Sequence, residues 1–228
     1  MTGRSAAAQA GFSAMMEERV PRIVDHDERR REIAILVEDL VAELGVEAVT
    51  IRDVAARAGF STAVVSHYFR TKQEMFLFTY AQARRRATER LLAASRAGKG
   101  LVACLSELLP TTRRRLAEWH AGFGFWGMAV ADPVIGRERL TGTTEAHQLF
   151  VQLIREAQRR GEVAAGVDAA WLATHLQVTI NGLATLVTLV PEDWPAERQA
   201  AELRHHIERL SAPPLRRQRS RPRARKRG

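Results

Sequence analysis

Residues 50–72, TIRDVAARAGFSTAVVSHYFRTK, decide the fold. Thr50 carries the side-chain oxygen that caps a helix start, and Ile51, Val54, Ala55 and Ala58 recur behind it at helical spacing. Gly59 tolerates the left-handed backbone that ends a helix, and Ser61 caps the next one. On a wheel of roughly 100° per residue, Val65 and Phe69 point one way. Ala63 and His67 point the opposite way, with Val64 and Ser66 beside them. The inward face is apolar, and the outward face is small and hydrogen-bonding. Such a face suits the DNA major groove, which admits a helix and presents base-edge donors, acceptors and thymine methyls. The stretch reads as a helix-turn-helix.

Its motifs resemble the tetracycline-repressor (TetR) family of bacterial regulators. The points of likeness are the capping Thr50, the turn Ala58-Gly59-Phe60-Ser61, the helix ending His67-Tyr68-Phe69, and Lys72 three residues on. Phe60 stands where an aliphatic residue is commoner, and Ser66 replaces a frequent Tyr. The run from Phe60 to Arg70 is particularly similar to the choline-sensing, BetI-like branch. The ordered match covers roughly residues 27–87, and the rest matches in helical layout. The resemblance implies a homodimer that binds a palindromic double-stranded operator, with repression relieved or triggered by a small-molecule effector. In that mechanism the ligand tilts the fourth helix and changes the spacing of the two recognition helices.

A chain of 228 residues with 46% hydrophobic and 27% charged residues has the composition of an ordinary globular protein with a sizeable core. Its single cysteine, Cys104, excludes an intrachain disulfide framework and a thiolate-rich metal site, which fits a cytoplasmic protein. Cys104 itself reads as a small buried apolar residue. The N-terminus lacks the continuous apolar segment of a secretory signal. The net charge of +9 belongs to one end: residues 216–227 hold seven Arg and one Lys without an acid, and the remainder is +1. Between residues 27 and 72 there are seven basic and eight acidic side chains, so bulk charge is not what points to DNA.

The organisation expected is all-α, with about nine helices. Residues 1–26 form a flexible arm, 27–87 a DNA-binding domain around the motif at 50–69, 88–211 a helical ligand-binding and dimerisation domain, and 212–228 a basic disordered tail. The tail reads either as an arm adding non-specific phosphate contacts or as a solubilising extension. Residues 169–190 contain no charge and are long enough to cross a bilayer, yet His175, Gln177, Asn181 and the Thr side chains would be costly there. The expectation is therefore a helix buried on two sides, by its own core and by a twin subunit, with no membrane involved. Its interface is expected from Trp171, His175, Leu183 and Val187, joined by Leu203, Ile207 and Leu210 of the last helix.

For DNA, Thr50 and Lys72 sit at helix N-termini, where unpaired N–H groups and partial positive charge favour phosphate. Tyr68 offers a hydroxyl, and Arg52 and Arg70 add positive charge. These contacts set register, with Ser61 capping the recognition helix, while Thr62, Ala63, Val64, Ser66 and His67 are placed to read bases. In the C-terminal half, Trp119, Phe123 and Trp126 recur on one helix face among Gly122, Gly124 and Gly127. Two readings stand for that face: an apolar pocket with Gln177 and Asn181 on the facing wall, or plain core. An aromatic pocket could also cage a quaternary ammonium. No metal-ligand spacing, phosphate loop, dinucleotide fingerprint or nucleophile elbow is found, so no catalytic residue, cofactor or metal is assigned.

Overall fold

Side-chain caps and left-handed glycines set the first helices. The computed structural model describes residues 26–211. Helix α1 spans His26–Leu44, α2 Ile51–Ala58, α3 Thr62–Tyr68 and α4 Lys72–Arg96. Gly45, at φ +81°, lets the chain turn out of α1. Thr50 forms a capping box: its hydroxyl oxygen accepts the Asp53 N–H, and the Asp53 carboxylate accepts the Thr50 N–H. Gly59, at φ +69°, closes α2, and its N–H and that of Phe60 donate to the last carbonyls of α2. Ser61 then caps α3, and Thr71 caps α4.

The apolar faces of α1 to α3 meet the first turns of α4 in one cluster, with Ile33, Val37, Val54, Val65, Phe69 and Met75 fully buried. Burying Phe69 alone is worth about 2 kcal/mol. Arg30 lies over the rings of Phe69 and Phe78, 4.8 and 4.4 Å from their centres, and pairs with Glu74 at 2.9 Å. His26, expected to end the N-terminal arm, instead opens α1. The rest of that arm and the basic tail lie outside the described residues.

The remaining helices are α5 (Leu101–Ser106), α6 (Arg113–Ala131), α7 (Pro133–Arg159), α8 (Ala169–Leu189) and α9 (Ala196–Ser211), with a short 3-10 turn at Pro191–Asp193. That makes nine α-helices and no strand among the described residues, as the helical periodicity predicts. Leu101, Leu105, Phe150, Ile154, Leu172, Leu176 and Leu203 form the larger core. A smaller cluster lies beside the head core and shares Met128 with it: Tyr80 of α4 stacks on Phe125 of α6 at 4.0 Å, and Ile135 of α7 packs against them. Cys104 is buried, and burial pushes its thiol pKa up, consistent with an inert core residue.

Helix α8 corrects part of the expected interface. Leu183, Val187, Leu203 and Ile207 are buried within the subunit and present no free surface, while Leu210 is half-buried against the same core. The outward stripe lies one residue along, about 100° around the helix. It comprises Trp171, Val178, Gly182, Leu186 and Leu189, with Val178 67% and Leu189 72% exposed. Trp171 and His175 do share that outer side, their rings 4.0 Å apart. An uncharged helix has apolar residues on every face, so periodicity cannot choose between the stripe facing its own core and the one left open.

Candidate DNA interface and effector cavity

The outward face of α3 is exposed as the wheel predicts. Thr62, Ala63, Val64, Ser66 and His67 are all open to solvent, while Val65 is fully buried beneath them. Tyr68 is half-buried, and its ring lies 4.8 Å from that of His26 and 5.3 Å from that of His67. Three aromatic rings thus fix the C-terminal end of the short helix from α1. Thr50, Arg52, Ser61 and Arg70 are exposed around it.

Lys72 is the first residue of α4, with Thr71 as the cap, and its ammonium already has partners. Its Nζ donates to the Glu47 carbonyl at 2.9 Å and lies 5.3 Å from the Phe76 ring centre. To reach a phosphate the ammonium must exchange that carbonyl for a phosphate oxygen, which is the stronger acceptor.

The DNA-facing helices are tied to the C-terminal body at three places. Ala121 and Met128 of α6 extend the head core. Gly124 brings α6 so close to Val46, in the turn after α1, that a Cβ built there would lie 2.8 Å from the Val46 Cβ. The missing side chain of this glycine thus permits close helix-to-head approach. Second, Gln73 at the start of α4 donates to Asp132 at 2.6 Å, and Asp132 also caps α7. Third, a chain of ion pairs crosses the joint. Glu38 of α1, with no exposed surface, accepts from Arg86 of α4 and Arg114 of α6; Arg86 also pairs with Glu118 of α6, as does Arg90. Burial raises the Glu38 pKa, and the two guanidiniums oppose that rise.

This ion chain ends at a partly open cavity of about 270 Å³ lined by α4, α6, α7 and α8. Trp119, Trp126, Gln177 and Asn181 line it, together with Leu91, Leu149, Phe150 and Ile180. Phe123 does not; it stands between the two indoles, 5.4 and 5.0 Å from them. The Trp119 N–H donates to the Leu108 carbonyl at 2.8 Å, and the Gln177 amide donates to the Thr143 carbonyl at 3.1 Å.

Charged residues of the wall are absent from the sequence reading. Arg84, Arg90, Arg139, Glu118 and Glu145 all line the cavity. Two signals were available: Arg86 and Arg90 fall four apart on α4, and Glu38 interrupts the apolar stripe of α1. Neither spacing identifies its partners, which come from helices far away in sequence.

Comparison with known proteins agrees with this geometry. Residues 97–212 match the profile described as BetI-type transcriptional repressor, C-terminal, and residues 38–77 match that of bacterial regulatory proteins, tetR family. The HTH-type transcriptional regulator PksA of Bacillus subtilis is 23% identical, over 84% of this chain and 94% of its own. The HTH-type transcriptional regulator BetI of Cronobacter sakazakii is 26% identical, over 76% and 92%. Among solved structures, a transcriptional regulator from Rhodococcus sp. superposes with a TM-score of 0.70 at 28% identity, covering 79% of this chain and 95% of its own. A regulator from Saccharomonospora viridis, solved in complex with choline, gives 0.72 at 26% identity, covering 80% and 96%.

Proposed function

We propose, for a chain that belongs to the TetR family of transcriptional regulators and carries a BetI-type repressor C-terminal domain, the following division of labour. Residues 27–87 bind DNA, and residues 88–211 bind an effector and a second copy of the chain. The observation that carries this reading is α3: a short helix whose apolar side is locked in the head core while five small or hydrogen-bonding residues face outward. Thr62, Ala63, Val64, Ser66 and His67 read base edges, with Ala63 or Val64 against thymine methyls. Thr50, Arg52, Tyr68, Arg70 and Lys72 hold phosphates and set register.

Two copies joined through α8 place two recognition helices on one face of DNA, about 34–36 Å apart or at a larger spacing, so the operator is palindromic. The uncharged outer stripe of α8 supports this pairing, because apolar surface of that kind is stabilised by cover. The cavity supports an effector. A ligand that favours one arrangement of α4 and α6 changes how the head is held, since Arg86, Arg90 and Glu118 connect the cavity wall to Glu38. The site of action is the cytoplasm, where bacterial DNA lies.

The phosphate assignment is tested with fluorescence anisotropy across a salt series. Lys72→Ala should weaken binding to all sequences alike and reduce the slope of log K against log salt by about 1. His67→Ala should instead change which sequences are preferred. An unchanged salt slope for Lys72→Ala contradicts the phosphate role.

A further inference from the structure

Two tryptophans lining a cavity suggest a cage for a quaternary ammonium, a cation drawn to ring faces. In this chain that place is taken by the chain itself. The guanidinium carbon of Arg139 lies 3.9 Å from the centre of the Trp126 ring. Its Nη1 also donates to the Thr143 hydroxyl. Phe123, the third aromatic residue, is not among the lining residues.

The cavity's acids are engaged as well. Glu118 accepts from Arg86 and Arg90, and Glu145 accepts from Arg84. No carboxylate in the lining is left to balance an added cation, which would also sit beside Arg139 and be repelled by it. Arg139, by contrast, has no carboxylate partner among the described residues, whereas Arg84 and Arg90 both do. It is the charge without a carboxylate partner in a wall that pairs its other guanidiniums and carries Leu91, Leu149, Phe150 and Ile180 as apolar surface.

The geometry points to an organic anion as the effector: a carboxylate on a small apolar body. The planar guanidinium of Arg139, held by the Trp126 face and by Thr143, presents its remaining N–H groups to the carboxylate, which it can hold with two parallel hydrogen bonds. The apolar body lies against Leu91, Phe150 and Ile180, and the Asn181 amide lines the same space. This deepens the ligand-responsive reading and rests on it for the regulatory consequence, but not for the binding chemistry.

The test is calorimetric titration of the full chain with three probes that share one body: 4-phenylbutyrate, 4-phenylbutan-1-ol and (4-phenylbutyl)trimethylammonium. Wild-type protein should bind the carboxylate about ten- to a hundredfold more tightly than the alcohol, the range set by a charge-assisted hydrogen bond, and should bind the ammonium least. Arg139→Gln should bring the carboxylate down to the affinity of the alcohol. Unchanged alcohol binding in that variant shows that its cavity is intact. Arg139→Ala bares the Trp126 face and should strengthen ammonium binding. The proposal is overturned if the ammonium binds wild type as well as the carboxylate does, if Arg139→Gln keeps the carboxylate preference, or if no probe binds. Release from operator DNA is measured separately. A carboxylate that binds through Arg139 without altering DNA affinity leaves the site standing and removes the regulatory reading.

Discussion

Replacing Gly124 with alanine adds one carbon where α6 crosses the head. The new Cβ would lie 2.8 Å from the Val46 Cβ, 3.1 Å from its Cγ1 and 3.4 Å from its Cγ2. Carbon atoms rest at about 3.5–4.0 Å, so the two segments must part by roughly 0.7–1.2 Å. The Val46 Cβ is fixed to the backbone of a turn and cannot rotate away. Overpacking of this kind costs about 1–3 kcal/mol. Against it stands a helix-propensity gain of about 1 kcal/mol for alanine over glycine. The net effect is a loss of about 0–2 kcal/mol. Gly122 and Gly127 in the same helix are internal controls, because a Cβ at either meets nothing within 4 Å. Alanine there should keep the propensity gain and stabilise by about 0.5–1 kcal/mol. Urea denaturation of the three variants should therefore separate Gly124→Ala from its neighbours by about 1–3 kcal/mol. Adding Val46→Gly, which removes the obstacle, should recover much of the difference in a double-mutant cycle. Three equal responses, or no coupling to Val46, would refute the close approach of α6 to the head.

Three further outcomes follow from the same contacts. Glu38→Ala leaves Arg86 and Arg114 without their shared carboxylate. Breaking a fully buried pair costs about 3–5 kcal/mol, but these guanidiniums are 27% and 35% exposed and Arg86 keeps Glu118, so a loss of about 1–3 kcal/mol is expected in denaturation. A neutral result would show that the ion chain does not hold head to body. Charge placed on the outer stripe of α8, as Val178→Glu or Leu186→Glu, should yield monomers in sedimentation and weaken operator binding; variants that remain dimers would locate the interface elsewhere. Asp53 has its pKa lowered by the Thr50 side-chain and backbone hydrogen bonds. A depressed carboxylate stabilises above its unfolded pKa of about 3.9, and that contribution is lost as pH falls through the lower folded value. Thermal unfolding should therefore show Asp53→Asn less stable than wild type at pH 6, with the gap closing below about pH 4; a gap that widens in acid contradicts the capping box.

The head was largely legible because its signals are local. Caps at Thr50 and Ser61, the left-handed Gly59, and the helical spacing of Val65 and Phe69 each act within a few residues. The exposed face of α3 followed from that spacing alone. The α8 stripe was misplaced because a helix without charges carries no local mark of which side its own core takes. Gly124 was read without its partner and Arg139 was not singled out, since Val46 and Trp126 reach them only through tertiary packing. Lys72 belonged to a recognisable position, but its bond to the Glu47 carbonyl depends on how the turn after α1 folds back.

Two copies of α3, held by one dimer, are expected to read DNA as a symmetric pair. Selection of binding sites by the full chain from a random double-stranded pool tests it most directly. The expected outcome is an enriched sequence with two-fold symmetry, whose half-sites lie about one helical turn or more apart and whose composition shifts when His67 is replaced. Recovery of no enriched sequence, or of a single asymmetric site indifferent to His67, would contradict it.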